Sequence, residues 1–150
     1  MRSDVIVVGA GHAGCEAAAA AARLGARVVV CTHTVAATAR LSCNPAIGGL
    51  GKGHLVRELD ALGGLMARAA DATTVQFRRL NTRKGLAVRS SRAQVDVDAY
   101  PSAMAALLGA IPGITWVESE VAGLVDVDGR VDGVVLADGA EVRADAVILT

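Results

Sequence analysis

Residues 5–14 read Val-Ile-Val-Val-Gly-Ala-Gly-His-Ala-Gly, and no other stretch of the chain restricts its possible folds as strongly. Val5–Val8 is a β-branched run without a polar interruption, the pattern of a strand covered on both faces and therefore of a parallel sheet. Gly9-x-Gly11-x-x-Gly14 follows at once. From Cys15 to Leu24 the chain is mostly alanine, the strongest helix former, and Gly25 stands where a left-handed helix terminus is expected. Arg27–Thr32 supplies a second aliphatic strand. Strand, glycine turn, helix and strand within roughly thirty residues form a βαβ unit, whose crossover is right-handed. The predicted class is α/β, a doubly wound parallel sheet of the Rossmann-like FAD- or NAD(P)-binding kind.

Further along, Ser42–Gly53 reads as a glycine-dense loop, and apolar spacing predicts a helix over Leu55–Met66 with Arg57, Glu58 and Asp60 toward water. Asp71–Ser91 has no clear period. Val97–Leu108 predicts another helix, with Pro101 in an early turn where a missing N–H costs little, closed by Ile111-Pro112-Gly113. Ile114–Val117, Val121–Val127 and Val131–Leu136 are short β-rich runs, the last two separated by the turn Asp128-Gly129-Arg130, and together they predict a small antiparallel β excursion. Ala146–Leu149 is again wholly aliphatic and is expected to return to the parallel sheet as a buried strand.

With 150 residues, 53% of them hydrophobic, the chain can bury one ordinary core, and one domain is expected. Fifteen basic residues balance 15 acidic ones, which argues against indiscriminate coating of nucleic acid. The charge is nevertheless segregated. Arg78, Arg79, Arg83, Lys84, Arg89 and Arg92 fall between Gln76 and Val95 without an acid among them, whereas Glu118–Asp145 is acidic. The basic stretch is either a solvated face or a surface for phosphates. Cys15, Cys31 and Cys43 are odd in number and lack a CxxC spacing, so neither a disulfide framework nor a metal site is expected, and a reducing cytoplasm fits. The apolar runs are too short for a signal or membrane segment.

The glycine turn carries the first functional expectation. Gly9 permits the tight turn, Gly11 lets a diphosphate approach the backbone, and Gly14 lets helix and strand pack closely. Amides near Ala13, Gly14 and Cys15 then meet the phosphate at the positive end of the helix dipole. His12 reads as a spacer in the turn rather than a proton carrier. Thr32-His33 stands where such domains usually place an acid for a ribose hydroxyl, so that contact is expected to be neutral or water-mediated. Ser42–Gly53 fails as a triphosphate cradle, because Ala46 and Gly53 replace the glycine and the Ser or Thr that it needs. What remains is a donor-rich loop beside Cys43, which Arg40 and Lys52 flank in sequence. Cys43 is either an activated nucleophile or a small buried hydrophobe, whereas Cys15 and Cys31 read as buried.

Taken together, Gly9-Ala10-Gly11-His12-Ala13-Gly14-Cys15-Glu16-Ala17, Ser42-Cys43-Asn44-Pro45-Ala46-Ile47-Gly48-Gly49 with Gly51-Lys52-Gly53-His54-Leu55-Val56, and Asp60-Ala61-Leu62-Gly63-Gly64 resemble the MnmG (GidA) family of tRNA uridine 5-carboxymethylaminomethyl modification enzymes. Gln76-Phe77-Arg78, Leu80-Asn81, Lys84-Gly85, Ala87-Val88-Arg89 and Arg92-Ala93-Gln94 extend the resemblance, and so does Thr32-His33. The resemblance implies FAD as cofactor, with Gly11–Cys15 on its diphosphate and Val121 giving a backbone contact on the adenine side. It makes Cys43 one of two functional cysteines, either of which could add to C6 of the wobble uridine (U34) and so activate C5 toward an electrophile. It also implies NADH as reductant, a folate one-carbon donor, tRNA as substrate, the GTPase MnmE as partner, a homodimer and a cytoplasmic location.

Ala39-Arg40 stands where the family is expected to have Gly-Gln, Leu86 where it has proline, Val97 where it has arginine, and Pro101-Ser102 where it has a more basic pair. The family runs several hundred residues further, so the resemblance makes residues 1–150 an incomplete FAD-binding domain, without the second cysteine, the insertion domain and the helical carboxy-terminal domain. A generic FAD- or NAD-dependent oxidoreductase and a non-catalytic nucleotide-binding module are the competing classes. Only Phe77, Tyr100 and Trp116 are aromatic, which argues against a base-stacking platform.

Overall fold

The opening βαβ unit forms as the sequence predicts and organises everything around it. In chain order the elements are β1 (Arg2–Val8), α1 (His12–Arg23), β2 (Val28–Thr32), β3 (Ala46–Gly48), α2 (Lys52–Ala61), α3 (Met66–Thr73), β4 (Thr74–Leu80), β5 (Ser90–Val95), α4 (Ala99–Gly109), β6 (Ile114–Glu118), β7 (Val121–Val127), β8 (Arg130–Leu136) and β9 (Glu141–Leu149). The computed structural model describes residues 2–150, which divide into two compact units, 2–38 with 108–150, and Ala39–Leu107.

The first unit is a six-stranded sheet of order β6-β2-β1-β9-β8-β7. β1 pairs in parallel with β2 and with β9, and β2 with β6. Strand alternation distributes the aliphatic side chains between two apolar layers. Val7, Val28 and Val30 pack with Ala10, Ala18 and Ala22 of the α1 segment, while Ile6, Val29 and Cys31 pack against Val134, Leu136, Val142 and Ala144 of the β8–β9 segment. α1 ends in a Schellman motif: Gly25 is left-handed at φ 92°, its amide reaches Ala22 O, and that of Ala26 reaches Ala21 O.

Three expectations are corrected in this unit. Ile114–Val117 is not part of the antiparallel excursion; as β6 it runs parallel to β2, register Thr32 opposite Glu118, because α4 provides the crossover that a parallel neighbour needs. The excursion is the β7–β8 hairpin, with Asp128 (φ 53°) and Gly129 (φ 78°) in its turn, and it is hydrogen-bonded into the same sheet through the start of β9. β9 does return beside β1, but β8 pairs with it only at Glu141–Arg143. Its far half is therefore an edge, with Leu149 63% exposed rather than buried.

The second unit holds a three-stranded antiparallel sheet, β3-β5-β4, that the sequence reading did not anticipate. The single helix expected over Leu55–Met66 is two. Gly63 turns left-handed at φ 86°, its amide bonding Asp60 O and that of Gly64 bonding Leu59 O, so α2 stops at a second Schellman motif and α3 starts afresh. Asp96 precedes α4, and its carboxylate accepts the amides of Asp98 (3.0 Å) and Ala99 (2.9 Å), bonds that hold its pKa below the ordinary value. The helix buries Tyr100, Met104 and Leu108 at i, i+4 and i+8.

Candidate functional site

The three glycines of the first turn differ in what surrounds them. Gly9 sits at φ 103°, and a Cβ there would lie 2.7 Å from Thr150 Oγ1. At Gly14 a Cβ would lie 2.0 Å from Gly9 O, so only glycine lets α1 close onto the turn. Gly11 differs from both. It is the N-cap of α1, extended at φ −69° and ψ −173°, and a Cβ there would meet nothing within 4 Å. The space beside it is empty of protein, and no side chain caps the helix.

The amides of Ala13 and Gly14 consequently have no protein acceptor among the described residues, and they lie at the positive end of the helix. Cys15 departs from the expectation. Its amide already donates to Gly11 O at 3.0 Å, and its buried Sγ approaches Ala10 O at 3.4 Å, so it anchors the turn instead of facing outward. His12 is the first residue of α1 and is partly buried.

Thr32 and Val121 join this edge. The amide of Gly9 donates to Cys31 O (2.8 Å) and that of Ser119 to Thr32 O (2.9 Å), while Val121 packs on the apolar layer containing Cys31 and Val117. Gly9–Cys15, Thr32 and Val121 therefore gather at the carboxyl ends of β1, β2 and β6, where ligands of open α/β sheets bind. Glu118, which sequence reasoning missed, brings a carboxylate opposite Thr32 and accepts the Val35 amide at 2.9 Å. The signal lay in the direction of β6: a parallel neighbour of β2 carries its last acid to the edge where β2 itself has none.

Cys43 belongs to the second unit and is exposed, unlike Cys15 and Cys31. Its Sγ lies 3.8 Å from Ser42 Oγ. Partial desolvation lowers the pKa of Lys52, an effect offset in part by its electrostatic neighbour Cys43. The loop that follows is less donor-rich than expected. The amides of Gly49, Lys52, Gly53 and His54 are taken by Ser91 O, Leu50 O, Gly49 O and Gly51 O. Its glycines serve packing: a Cβ on Gly48 would sit 2.2 Å from Ser91 O, and one on Gly53 2.6 Å from Ser90 Oγ. Among the described residues no cluster of three or more His, Cys, Asp and Glu could hold a metal, and no helix is long and apolar enough to cross a membrane.

A parallel sheet whose first turn leaves helix amides bare beside an empty glycine face defines a domain of the doubly wound, dinucleotide-binding class. The family model for glucose inhibited division protein A matches residues 4–150, and the chain belongs to that family. It is 57% identical over 150 residues to the tRNA uridine 5-carboxymethylaminomethyl modification enzyme MnmG of Myxococcus xanthus, covering 100% of this chain and 24% of that protein. The enzyme of the same description from Granulibacter bethesdensis is 53% identical over 150 residues, covering 98% of this chain and 24% of its own length. The structure of Aquifex aeolicus GidA superposes with a TM-score of 0.95 at 44% identity, covering 100% of this chain and 25% of that one. The chain thus spans about a quarter of the length of the curated relatives it matches.

Proposed function

We propose that this chain is the amino-terminal FAD-binding portion of an enzyme that modifies C5 of the wobble uridine of tRNA. The observation that carries the reading is the Gly11 face: an N-cap with open space where its side chain would be, directly before two helix amides without acceptors. These features fit a diphosphate, which needs close backbone approach and several N–H donors. Ala13 and Gly14 would donate to it, Gly9 and Gly14 would keep the turn closed, and Thr32 and Val121 would lie toward the adenosine half. FAD, when bound, supplies redox chemistry that no side chain here offers.

Cys43 is the candidate nucleophile toward C6 of uridine. Its exposure leaves the sulfur reachable by a macromolecular substrate, the first requirement of such an addition. Membership of the family supports tRNA as substrate. It also motivates the finer expectations of NADH as reductant, a folate one-carbon donor, the MnmE GTPase as partner, a homodimer and a cytoplasmic location.

Two measurements test the reading. FAD mixed with a full-length family enzyme carrying this amino-terminal sequence and passed through gel filtration should co-elute with it, giving a yellow protein peak; a colourless peak in excess flavin sinks the cofactor assignment. In a full-length family enzyme carrying this amino-terminal sequence, Cys43→Ala should abolish the modified nucleoside in tRNA digests while flavin stays bound. Unchanged nucleoside would remove Cys43 from the chemistry.

A further inference from the structure

The basic stretch between Gln76 and Val95 is not a uniform wet face. The fold gathers Arg79 of β4, Arg89 just ahead of β5 and Arg57 of α2 around one concavity of about 200 Å³, completed by Leu86, Ser90 and Ser91. The guanidiniums thus come from three places in the chain. None of the three forms an ion pair among the described residues. Cations drawn into one hollow without a carboxylate repel one another, and a bound anion relieves that repulsion.

The walls are held in place by the protein itself. Arg89 Nε donates to Lys84 O at 3.1 Å, which fixes that side chain and leaves its terminal nitrogens for a ligand. Ser90 Oγ donates to Gly49 O, and Ser91 O accepts the Gly49 amide, so the pocket floor is tied to the glycine loop. Planar guanidiniums present paired N–H groups that match the oxygens of a phosphate ester.

We propose that Arg57, Arg79 and Arg89 form a phosphate-binding pocket on the 39–107 unit, occupied by a backbone phosphodiester of single-stranded RNA. The choice of RNA rests on the tRNA reading above; the phosphate chemistry does not. A small phosphorylated molecule would offer the same oxyanion and is separated by the test.

Binding of a fluorescein-labelled RNA hairpin to the chain is followed by anisotropy over a salt series, for wild type, R57Q/R79Q, R57K/R79K and R83Q. Arg83 lies in the same basic stretch but outside the pocket. Loss of the pocket contact should weaken binding at least tenfold in R57Q/R79Q and reduce the slope of log K against log salt by about 0.7, the share of one single-strand phosphate. R57K/R79K should fall between, and R83Q should stay within twofold of wild type. Far-UV circular dichroism checks that each variant is folded. Equal losses in R83Q and R57Q/R79Q overturn the pocket in favour of a diffuse basic face, while the tRNA reading stands. If wild type ignores the hairpin but inorganic phosphate shifts the Arg57, Arg79 and Arg89 Nε–H resonances, the pocket stands as a small-phosphate site and the RNA assignment is overturned. No response to either probe overturns both.

Discussion

Gly11→Ser should make the chain more stable and the cofactor site worse, two effects that a merely structural turn would not separate. At φ −69° and ψ −173° Gly11 already has an extended conformation that serine adopts, and its Cβ would meet no protein atom within 4 Å. Serine is a better N-cap than glycine by a few tenths of a kcal/mol. Removing glycine's excess freedom from the unfolded chain adds about 0.4–1 kcal/mol. The total is about 1 kcal/mol, a rise in melting temperature of roughly 2–4 °C for a chain of this size. The same hydroxyl accepts from the Ala13 or Gly14 amide and fills the space beside it. Each charge-assisted bond denied to a diphosphate is worth about 1.5–3 kcal/mol, so FAD affinity should fall by a factor of about ten to a hundred for the first amide lost. Differential scanning calorimetry and flavin fluorescence quenching measure the two effects. A lower melting temperature would show that the Gly11 space is not free; undiminished flavin affinity would show that the diphosphate does not lie there.

Three further outcomes follow from the geometry. Gly14→Ala places a Cβ 2.0 Å from Gly9 O, and the resulting overpacking should cost about 1–3 kcal/mol in urea unfolding, in contrast to Gly11→Ser. Hydrogen bonds from the Arg27 guanidinium and amide hold the Asp4 carboxyl down at about 2, against an ordinary 3.8. A depressed folded-state pKa gives stability that is present above the ordinary value and is lost as the pH falls through about 2. Carboxyl NMR titration should place the Asp4 midpoint there, and Arg27→Gln should return it toward the ordinary value. Of the three thiols, Cys43 alone should react with a bulky thiol reagent under native conditions, with Cys15 and Cys31 following only on unfolding; rapid labelling of all three would contradict their burial.

The parts of the fold that the sequence discloses are those governed by neighbours in the chain. Val5–Val8, the three glycines and the alanine helix each follow from local sterics, and the turn and packing roles of Gly9 and Gly14 were legible in the sequence. Pairing direction is different: nothing within Ile114–Val117 says whether its partner runs alongside or against it, and only the crossover through α4 makes β6 parallel. The break between α2 and α3 was readable at Gly63-Gly64, but helix-like apolar spacing across it masked the signal. The amide of Gly49 was misjudged because its acceptor, Ser91 O, emerges only once β5 is in place. Arg57 joins Arg79 and Arg89 through packing of elements far apart in the chain, which charge patterning along the sequence cannot show.

One family departure gains a physical meaning. Ala39 is fully buried and left-handed at φ 55°, at the position where the family resemblance leads one to expect glycine. The conformation costs alanine about 1–2 kcal/mol, and burying its methyl group returns roughly 0.8 kcal/mol, so the exchange is nearly level.

The seam between β1 and β9 joins segments far apart in sequence: Arg2 and Asp145, which pair across it at 2.6 Å, are 143 positions apart. Contacts of such long range lift the contact order and close slowly, after hairpins and adjacent βαβ elements have formed. Thr150, arriving with β9, is also the residue whose hydroxyl bonds Val8 O and which Gly9 must clear. The Gly9 turn therefore reaches its final shape only when partners far apart in sequence meet, and a pyrophosphate bound there, as proposed, would brace that long-range joint.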